Sequence, residues 1–411
     1  MNYDVLIVGA SASGAACAVL LRQLGLSVRV IEKVPDSSRY KKLCTHFIQP
    51  SAVPVLTQLG MAHLSNESHS VRTQAAFITS AGIVDPIGGY GDDGRGFALN
   101  LERAVLDPAL RQQAVRQGAE IGYGEQITEA VRTPQGWRLT VERHGDPVLL
   151  AGRFLIAADG RTSRLASMLG NQARHHENQR ATFFAYCSGI ASPSQNRSLF
   201  AHHQNGMAFL YPLINGRTLL SAYIDKETAR QWQEQDPKAE LIRFFSGVPF
   251  MPSVSQAVFE TPVIGYHDYP NLVRHPVCGG VAFIGDAVQS LDPMSGVGCS
   301  FALQSAAMLA QAVASALQEG QLDETLALKL YEQQFNAYFP AHARGIIADS
   351  LIAKEEQTQR SVFQTIVNDD ALQRHYRDLT GRLITPAFFQ NAFLVSKIRQ
   401  QSLARKAQEA L

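Results

Sequence analysis

Residues 5–8 (VLIV) form an unbroken apolar run that ends at Gly9, and from Ala15 to Leu24 the apolar positions recur at helical spacing. A second apolar run, Val28 to Ile31, then closes on Glu32. Unbroken β-branched runs suit parallel strands covered on both faces. The stretch YDVLIVGASASGAACAVLLRQLGLSVRVIEK therefore predicts strand, tight turn, helix and strand within about 30 residues, the span of a βαβ unit. The regular alternation stops there. RYKKLCTHFIQPSAVPVLTQLGM reads as a loop entering a helix from about Ser51, and the Gly-rich residues 75–98 read as antiparallel strands. LERAVLDPALRQQAVRQGAEI predicts an amphipathic helix with Leu106, Leu110, Ala114 and Val115 on one face. GWRLTVE and RFLIAADG are strands. Between 176 and 262 the alternating segments RATFFAYCSGI, GMAFLYPL and GRTLLSAYI predict a mostly antiparallel sheet, with a hairpin at INGR. Residues 281–340 return to strand, loop and helix, and 341–411 are helix-rich. The units are interleaved: 1–75, 98–175 and 263–340 form a dinucleotide-binding α/β domain, 76–97 and 176–262 a substrate-side sheet, and 341–411 a helical C-terminal region.

Composition narrows the function classes. Across 411 residues, 37 basic side chains against 36 acidic ones leave a net charge of +1, so no field steers the protein to nucleic acid. The five cysteines (Cys17, Cys44, Cys187, Cys278, Cys299) are scattered and never spaced as CxxC, which argues against a zinc site or a disulfide framework and for a reducing cytoplasm. No apolar run approaches the ~18 residues of a membrane span. The VLIV run is too short for a signal-peptide core.

The first βαβ unit carries recognisable chemistry. Gly9 permits a sharp turn out of the strand, and Gly14 lets helix and strand approach closely. Ser11 stands where the middle glycine of GxGxxG is usual, a small residue that still admits a phosphate near the backbone. Amides and dipole at the helix start suit a pyrophosphate. Glu32 suits an adenosine ribose and disfavours a 2′-phosphate, and Lys33 follows it. Some 250 residues on, VAFIGDAVQSLDPMSGVGCSFALQSAAMLAQAV repeats the theme: a strand ends in Gly285-Asp286, and a second turn with Pro293, Gly296, Val297 and Gly298 opens a long Ala-rich helix. Two helix starts suit a long ligand with negative charge in two places, FAD rather than NAD.

On these residues the chain resembles the single-component FAD-dependent aromatic hydroxylases and their relatives, the geranylgeranyl reductases and flavin halogenases. The GD motif with P-x-x-G-x-G matches Gly285, Asp286, Pro293, Gly296 and Gly298, and a DG motif matches Asp159, Gly160, Ser163 and Arg164. The resemblance implies a glutathione-reductase-type (Rossmann-like) FAD fold, with Asp286 on the ribityl chain, Arg103 near the phosphates, and Asp159 and Gly160 beside the pyrophosphate. Lys41 or Lys42 would meet the cofactor, with Lys42 the candidate. It further implies a monooxygenase in which NADH or NADPH reduces the flavin, O2 adds as a C4a-hydroperoxide, and a small aromatic or apolar substrate is oxygenated. The loop from Pro293 to Cys299, shaped by Pro293, Gly296 and Gly298, would donate hydrogen bonds to the reduced flavin. His46 is a candidate general base, with a structural hydrogen bond as its alternative. Met207, Phe209 and Tyr211, on one face of their strand, and Cys44 are candidate substrate contacts, plain core being the competing reading.

Three other functions stay open. A reductase saturating an alkene would use Cys44, although Thr45 and His46 stand where that branch carries glycines. A halogenase would show W-x-W-x-I-P where this chain has MAFLYP. A flavin-binding protein without turnover is the third. The C-terminal TPAFFQNAFLVSKIRQQSLARKA, with Phe388, Phe389, Phe393, Leu394 and Ile398, is expected to pack on the core or on a second copy, contact with a membrane or lipid-like substrate being the alternative.

Overall fold

In the computed structural model, which describes residues 2–204, 206–352 and 356–409, the strand Asn2–Val8 runs parallel to Val28–Glu32 on one side and to Asp146–Ala157 on the other. Glu120–Tyr123 and Val281–Phe283 extend this sheet in parallel at its two sides. Val5, Leu6 and Ile7 are fully buried, as an unbroken apolar run requires. The helix Ala12–Gln23 packs against both Arg103–Arg116 and Gly298–Ser315, and the long helix Glu324–Asp349 packs on the last of these. The antiparallel meander Glu125–Thr133, Gly136–Arg143 and Asp146–Ala157 turns Trp137, Leu139 and Val141 into the same core.

The second sheet is built on Arg180–Ser188, Thr218–Asp225, Gly206–Pro212 and Ser198–His203, paired antiparallel in that order. Ala75–Thr79 joins Ser198–His203 in parallel, and Ile264–Tyr266 pairs with Arg180–Ser188. Both faces are covered. Phe183, Leu220 and Ala222 face a core with Trp232, Leu241, Phe244 and Phe245, whereas Phe184, Phe209 and Tyr223 face a core that includes Phe363, Ile366 and Leu372 of the C-terminal helices.

Two expectations are corrected here. The helices Lys226–Glu234 and Pro237–Ser246 lie inside the stretch read as sheet. Their starts carry a readable signal, since Asp225 accepts from the Glu227 and Thr228 amides and Asp236 accepts from the Lys238 amide, with Pro237 at the first helical position. On the helix Arg103–Arg116, Leu106, Leu110 and Ala114 are buried but Val115 is 52% exposed, because it stands about 100° round from that line.

The C-terminal region is tied to the rest by charged groups. Arg377, fully buried on the helix Asp370–Thr380, donates to the carbonyls of Pro86 (2.8 Å), Gly88 (2.9 Å) and Gly89 (2.7 Å), while Asp378 accepts from the Gly91 amide. Arg180 bridges Asp292 (2.6 Å) and Asp349 (3.1 Å), joining the second sheet to the loop before Pro293 and to the end of Glu324–Asp349. On the helix Pro386–Glu409, Phe389 packs by Tyr376 and Phe393, whereas Phe388, Leu394, Val395 and Ile398 are exposed. Among the described residues no helix is long and apolar enough to cross a membrane.

A Cβ at Gly14 would stand 1.9 Å from the Gly9 carbonyl oxygen. Gly14→Ala is therefore expected to cost about 3 kcal/mol through forced separation of helix and strand, and to lose flavin; thermal melting and the flavin absorbance of the purified variant check both.

Candidate FAD and substrate site

A cavity of about 710 Å3 lies at the carboxyl ends of the parallel strands, lined by Val8 and Gly9, Glu32, and Ala158 and Asp159. This is where open α/β sheets take their ligands. Gly9 has φ +104°, and its amide donates to the Ile31 carbonyl at 2.8 Å. Glu32 closes the turn: Oε2 accepts from the Ala10 amide (2.7 Å) and Oε1 from the Val34 amide (2.9 Å), and each oxygen keeps a further lone pair. Ser11 makes no capping bond to its own helix, so the first-turn amides face the cavity. Its hydroxyl lies 3.2 Å from Arg103 Nη2 instead.

Arg103 is buried and forked onto Asp107, at 2.6 and 3.0 Å. Asp159 accepts from the Arg164 (2.7 Å) and Leu165 (3.2 Å) amides through Oδ2, while its Oδ1 is buried without a partner. Gly160 lies beside it on the cavity wall, with Lys33 and Lys42. The second motif meets the first because Gly285 has no side chain: a Cβ there would stand 2.5 Å from Ser13 Oγ. Asp286 thereby reaches the same cavity. Lys41 Nζ lies 2.6 Å from Asp286 Oδ2, and that carboxylate raises the lysine pKa. Lys41 lines both cavities of the site, whereas the expected Lys42 lines only the larger one and is exposed.

A smaller cavity of about 60 Å3 adjoins the first, sharing Lys41, Arg103, Tyr269, Asp286 and Gly298 with it. Its roof is the second sheet, through Thr182, Phe184 and Tyr223. Its floor is the loop with Pro293 and Gly296 and the start of Gly298–Ser315, and Cys44 and Cys299 also line it. Val297 is buried beneath the loop. The Tyr223 hydroxyl reaches the Pro293 carbonyl at 3.4 Å, and Thr182 Oγ1 is buried with no partner. Cys44 Sγ accepts from the His46 amide at 3.3 Å.

Two groups of predicted residues sit elsewhere. Met207, Phe209 and Tyr211 line neither cavity; they are buried in the aromatic core of the second sheet. Their face was read correctly, since Met207 pairs with Tyr223 and Tyr223 with Thr182 across that face, but their strand is the next one out. Thr182, Phe184, Tyr223 and Tyr269 were missed. Alternation marks the face of a strand and says nothing of which strand lies over the loop.

His46 is also not a cavity group. Buried, with φ +61°, it accepts from the Arg103 amide at Nδ1 (3.0 Å), so the ring proton lies on Nε2, which donates to the Tyr186 hydroxyl. It caps the helix Arg103–Arg116, and burial lowers its pKa to about 4.

The site suits a dinucleotide on its own geometry: free helix-start amides, a buried guanidinium beside them, an unpartnered aspartate oxygen, and carboxylates placed for sugar hydroxyls. Residues 2–338 match the FAD binding domain family, and the chain belongs to that family. The protein is an FAD-dependent oxidoreductase. Over 358 residues it is 25% identical to digeranylgeranylglycerophospholipid reductase 2 of Methanopyrus kandleri, covering 82% of this chain and 83% of the relative. The digeranylgeranylglycerophospholipid reductase of Methanocella arvoryzae is 23% identical, covering 81% and 82%. Among solved structures, a flavoprotein/dehydrogenase from Cytophaga hutchinsonii superposes with a TM-score of 0.75 at 18% identity, covering 97% of this chain and all of that one. The myxobacterial chondrochloren halogenase CndH gives 0.72 at 18%, covering 93% and 99%. OxyS anhydrotetracycline hydroxylase from Streptomyces rimosus gives 0.69 at 18%, covering 93% and 76%. At these identities the structures share the fold.

Burial holds His46, and likewise His342, at a pKa of about 4 against an ordinary 6.5. Between those values the unfolded chain binds protons that the fold refuses, so the stability tied to these histidines is complete above about pH 6.5 and is lost as pH falls toward 4. The melting temperature is expected to drop across that window, less steeply in His342→Gln. The pH profile of kcat is expected to carry no ionisation near 6.5 from His46, which a general base there would impose.

Proposed function

We propose that the protein is an NADH- or NADPH-reduced monooxygenase that places one oxygen atom of O2 on a small, electron-rich organic substrate held in the smaller cavity. The carrying observation is the size and lining of that cavity. About 60 Å3 beside the loop, walled by Leu43, Phe47, Phe184 and Leu291 with the Thr182 and Tyr223 hydroxyls among them, suits a compact molecule that carries both apolar and polar groups, and lies far below the roughly 300–1,000 Å3 of pockets that bury drug-sized ligands.

Bound FAD supplies two-electron reduction by a nicotinamide and reaction with O2. The chain does the positioning. Gly9 and the Ser11 helix start hold the pyrophosphate, aided by Arg103, Asp159 and Gly160. Gly14 keeps that helix against its strand, and Glu32, with Lys33 and Lys42 nearby, holds the adenosine end. Gly285 brings Asp286 to the ribityl chain, and Pro293 and Gly296 shape the turn that sets the Val297 and Gly298 amides against the flavin ring. Thr182 and Tyr223 meet the polar substituent of the substrate, and the apolar walls exclude water.

A second reading, hydride delivery to an alkene, is favoured by the two curated relatives, both reductases by name, and by Cys44 on the cavity wall.

The two readings separate on the fate of O2. With FAD-loaded protein, NAD(P)H and 18O2, phenolic ligands are expected to speed NAD(P)H oxidation and to appear with one 18O atom. Unlabelled ligands, together with saturation of an isoprenoid alkene under nitrogen, would overturn the monooxygenase. Thr182→Val is expected to raise KM for a hydroxylated substrate about tenfold, the cost of one lost hydrogen bond.

A further inference from the structure

The loop under the small cavity is also held from the opposite side, by a residue outside both motifs. The helix Asp370–Thr380 ends at Gly381, and Arg382 then takes φ +62°, a costly conformation for a residue with a Cβ. Its amide donates to the Leu379 carbonyl, and its own carbonyl accepts from the Tyr338 hydroxyl at 3.0 Å. These bonds fix the backbone so that the side chain turns inward, where Nη2 donates to the Ser295 carbonyl at 3.1 Å. Gln49 Nε2 approaches the carbonyls of Ser295 and Gly296 at 3.4 and 3.5 Å.

Arg382 differs from Arg103 and Arg180 in its charge balance. Arg103 is neutralised by Asp107, and Arg180 by Asp292 and Asp349. Arg377 donates to three carbonyls and, like Arg382, keeps its Nε buried without a partner. Arg382 makes no ion pair among the described residues, and its Nε is buried without a partner. Burial lowers its pKa to about 10, which leaves it cationic at neutral pH. The Asp349 carboxylate acts on it without forming an ion pair, so the desolvated cation is compensated only in part, and a negative charge across the loop would offset it further. Two-electron reduction of FAD takes up one proton and leaves a negative charge on the ring.

We infer that Arg382 is a positioning residue for the flavin, holding the Ser295 carbonyl so that the amides of Val297 and Gly298 face the ring and stabilising the reduced, anionic cofactor with its positive charge. This rests on FAD binding alone and not on which reaction follows, so it stands or falls separately from the monooxygenase.

The test is the flavin midpoint potential, measured by anaerobic dye-coupled titration at pH 7 on the FAD-loaded protein without substrate. Arg382→Gln keeps a donor for Ser295 and removes the charge; Arg382→Lys keeps the charge. The Gln variant is expected to bind reduced FAD about tenfold less tightly relative to oxidised FAD, a potential lower by about 30 mV for a two-electron couple. The Lys variant is expected within threefold of wild type, and guards against a folding failure of the Gln variant. An unchanged potential in Arg382→Gln, or a tenfold shift in folded, FAD-loaded Arg382→Lys, would overturn the inference. A purely structural role would lower the melting temperature of both variants and move neither potential.

Discussion

The helix Ala12–Gln23 begins with its backbone pressed against the turn it leaves. A Cβ at Gly14 would meet the Gly9 carbonyl oxygen, and one at Gly9 would stand 2.3 Å from the Ala158 carbonyl oxygen. This close approach draws the ends of Asn2–Val8 and Asp146–Ala157 to one point and leaves the first helical amides with no protein partner. Gly285 extends the same constraint to the far end of the chain, because its missing side chain lets the turn before Asp286 settle on Ser13. Two helix starts, some 280 residues apart, thus open onto one continuous space. A single added methyl group at any of these glycines would push the parts of the cofactor site away from each other.

The loop from Asp292 to Gly298 is the second point where separate regions meet. Arg180 of the second sheet grips Asp292, Tyr223 of the same sheet reaches the Pro293 carbonyl, and Arg382 of the C-terminal region holds Ser295. Three parts of the chain therefore agree on the position of one short loop. The C-terminal helices belong to the site's support: they cover the aromatic face of the second sheet, and through Arg377 and Asp378 they also bind the glycine-rich segment at 86–91.

Relatives named as reductases, and a shared fold with a halogenase and a hydroxylase, show how little the FAD cradle constrains the reaction. The cradle sets where the flavin lies. The room left beneath the second sheet is small, and apolar walls share it with the hydroxyl-bearing Thr45, Thr182, Tyr223, Tyr269 and Ser290.

The sequence by itself determined the strand order of the first βαβ unit, the glycine turn, the acid at its end and the second turn at 285–298, because each depends on contacts within a few residues and on the apolar spacing of one element. The same local logic located the hairpin at INGR and the helical character of the C-terminal region. Only the tertiary structure decided which strand of the second sheet lies over the loop. Alternation identified the correct face of the second sheet, but Thr182 and Tyr223 lie over the loop and Met207, Phe209 and Tyr211 do not, since neighbouring strands share a face and differ only in position along the sheet. For His46 the sequence left a general base and a structural hydrogen bond both open, and the fold brought the Arg103 amide and Tyr186 to its two nitrogens. Arg382 carries no local signal at all. Its role comes from a turn that places a cation against a carbonyl 87 residues away, and a contact at that separation leaves no periodicity in the chain.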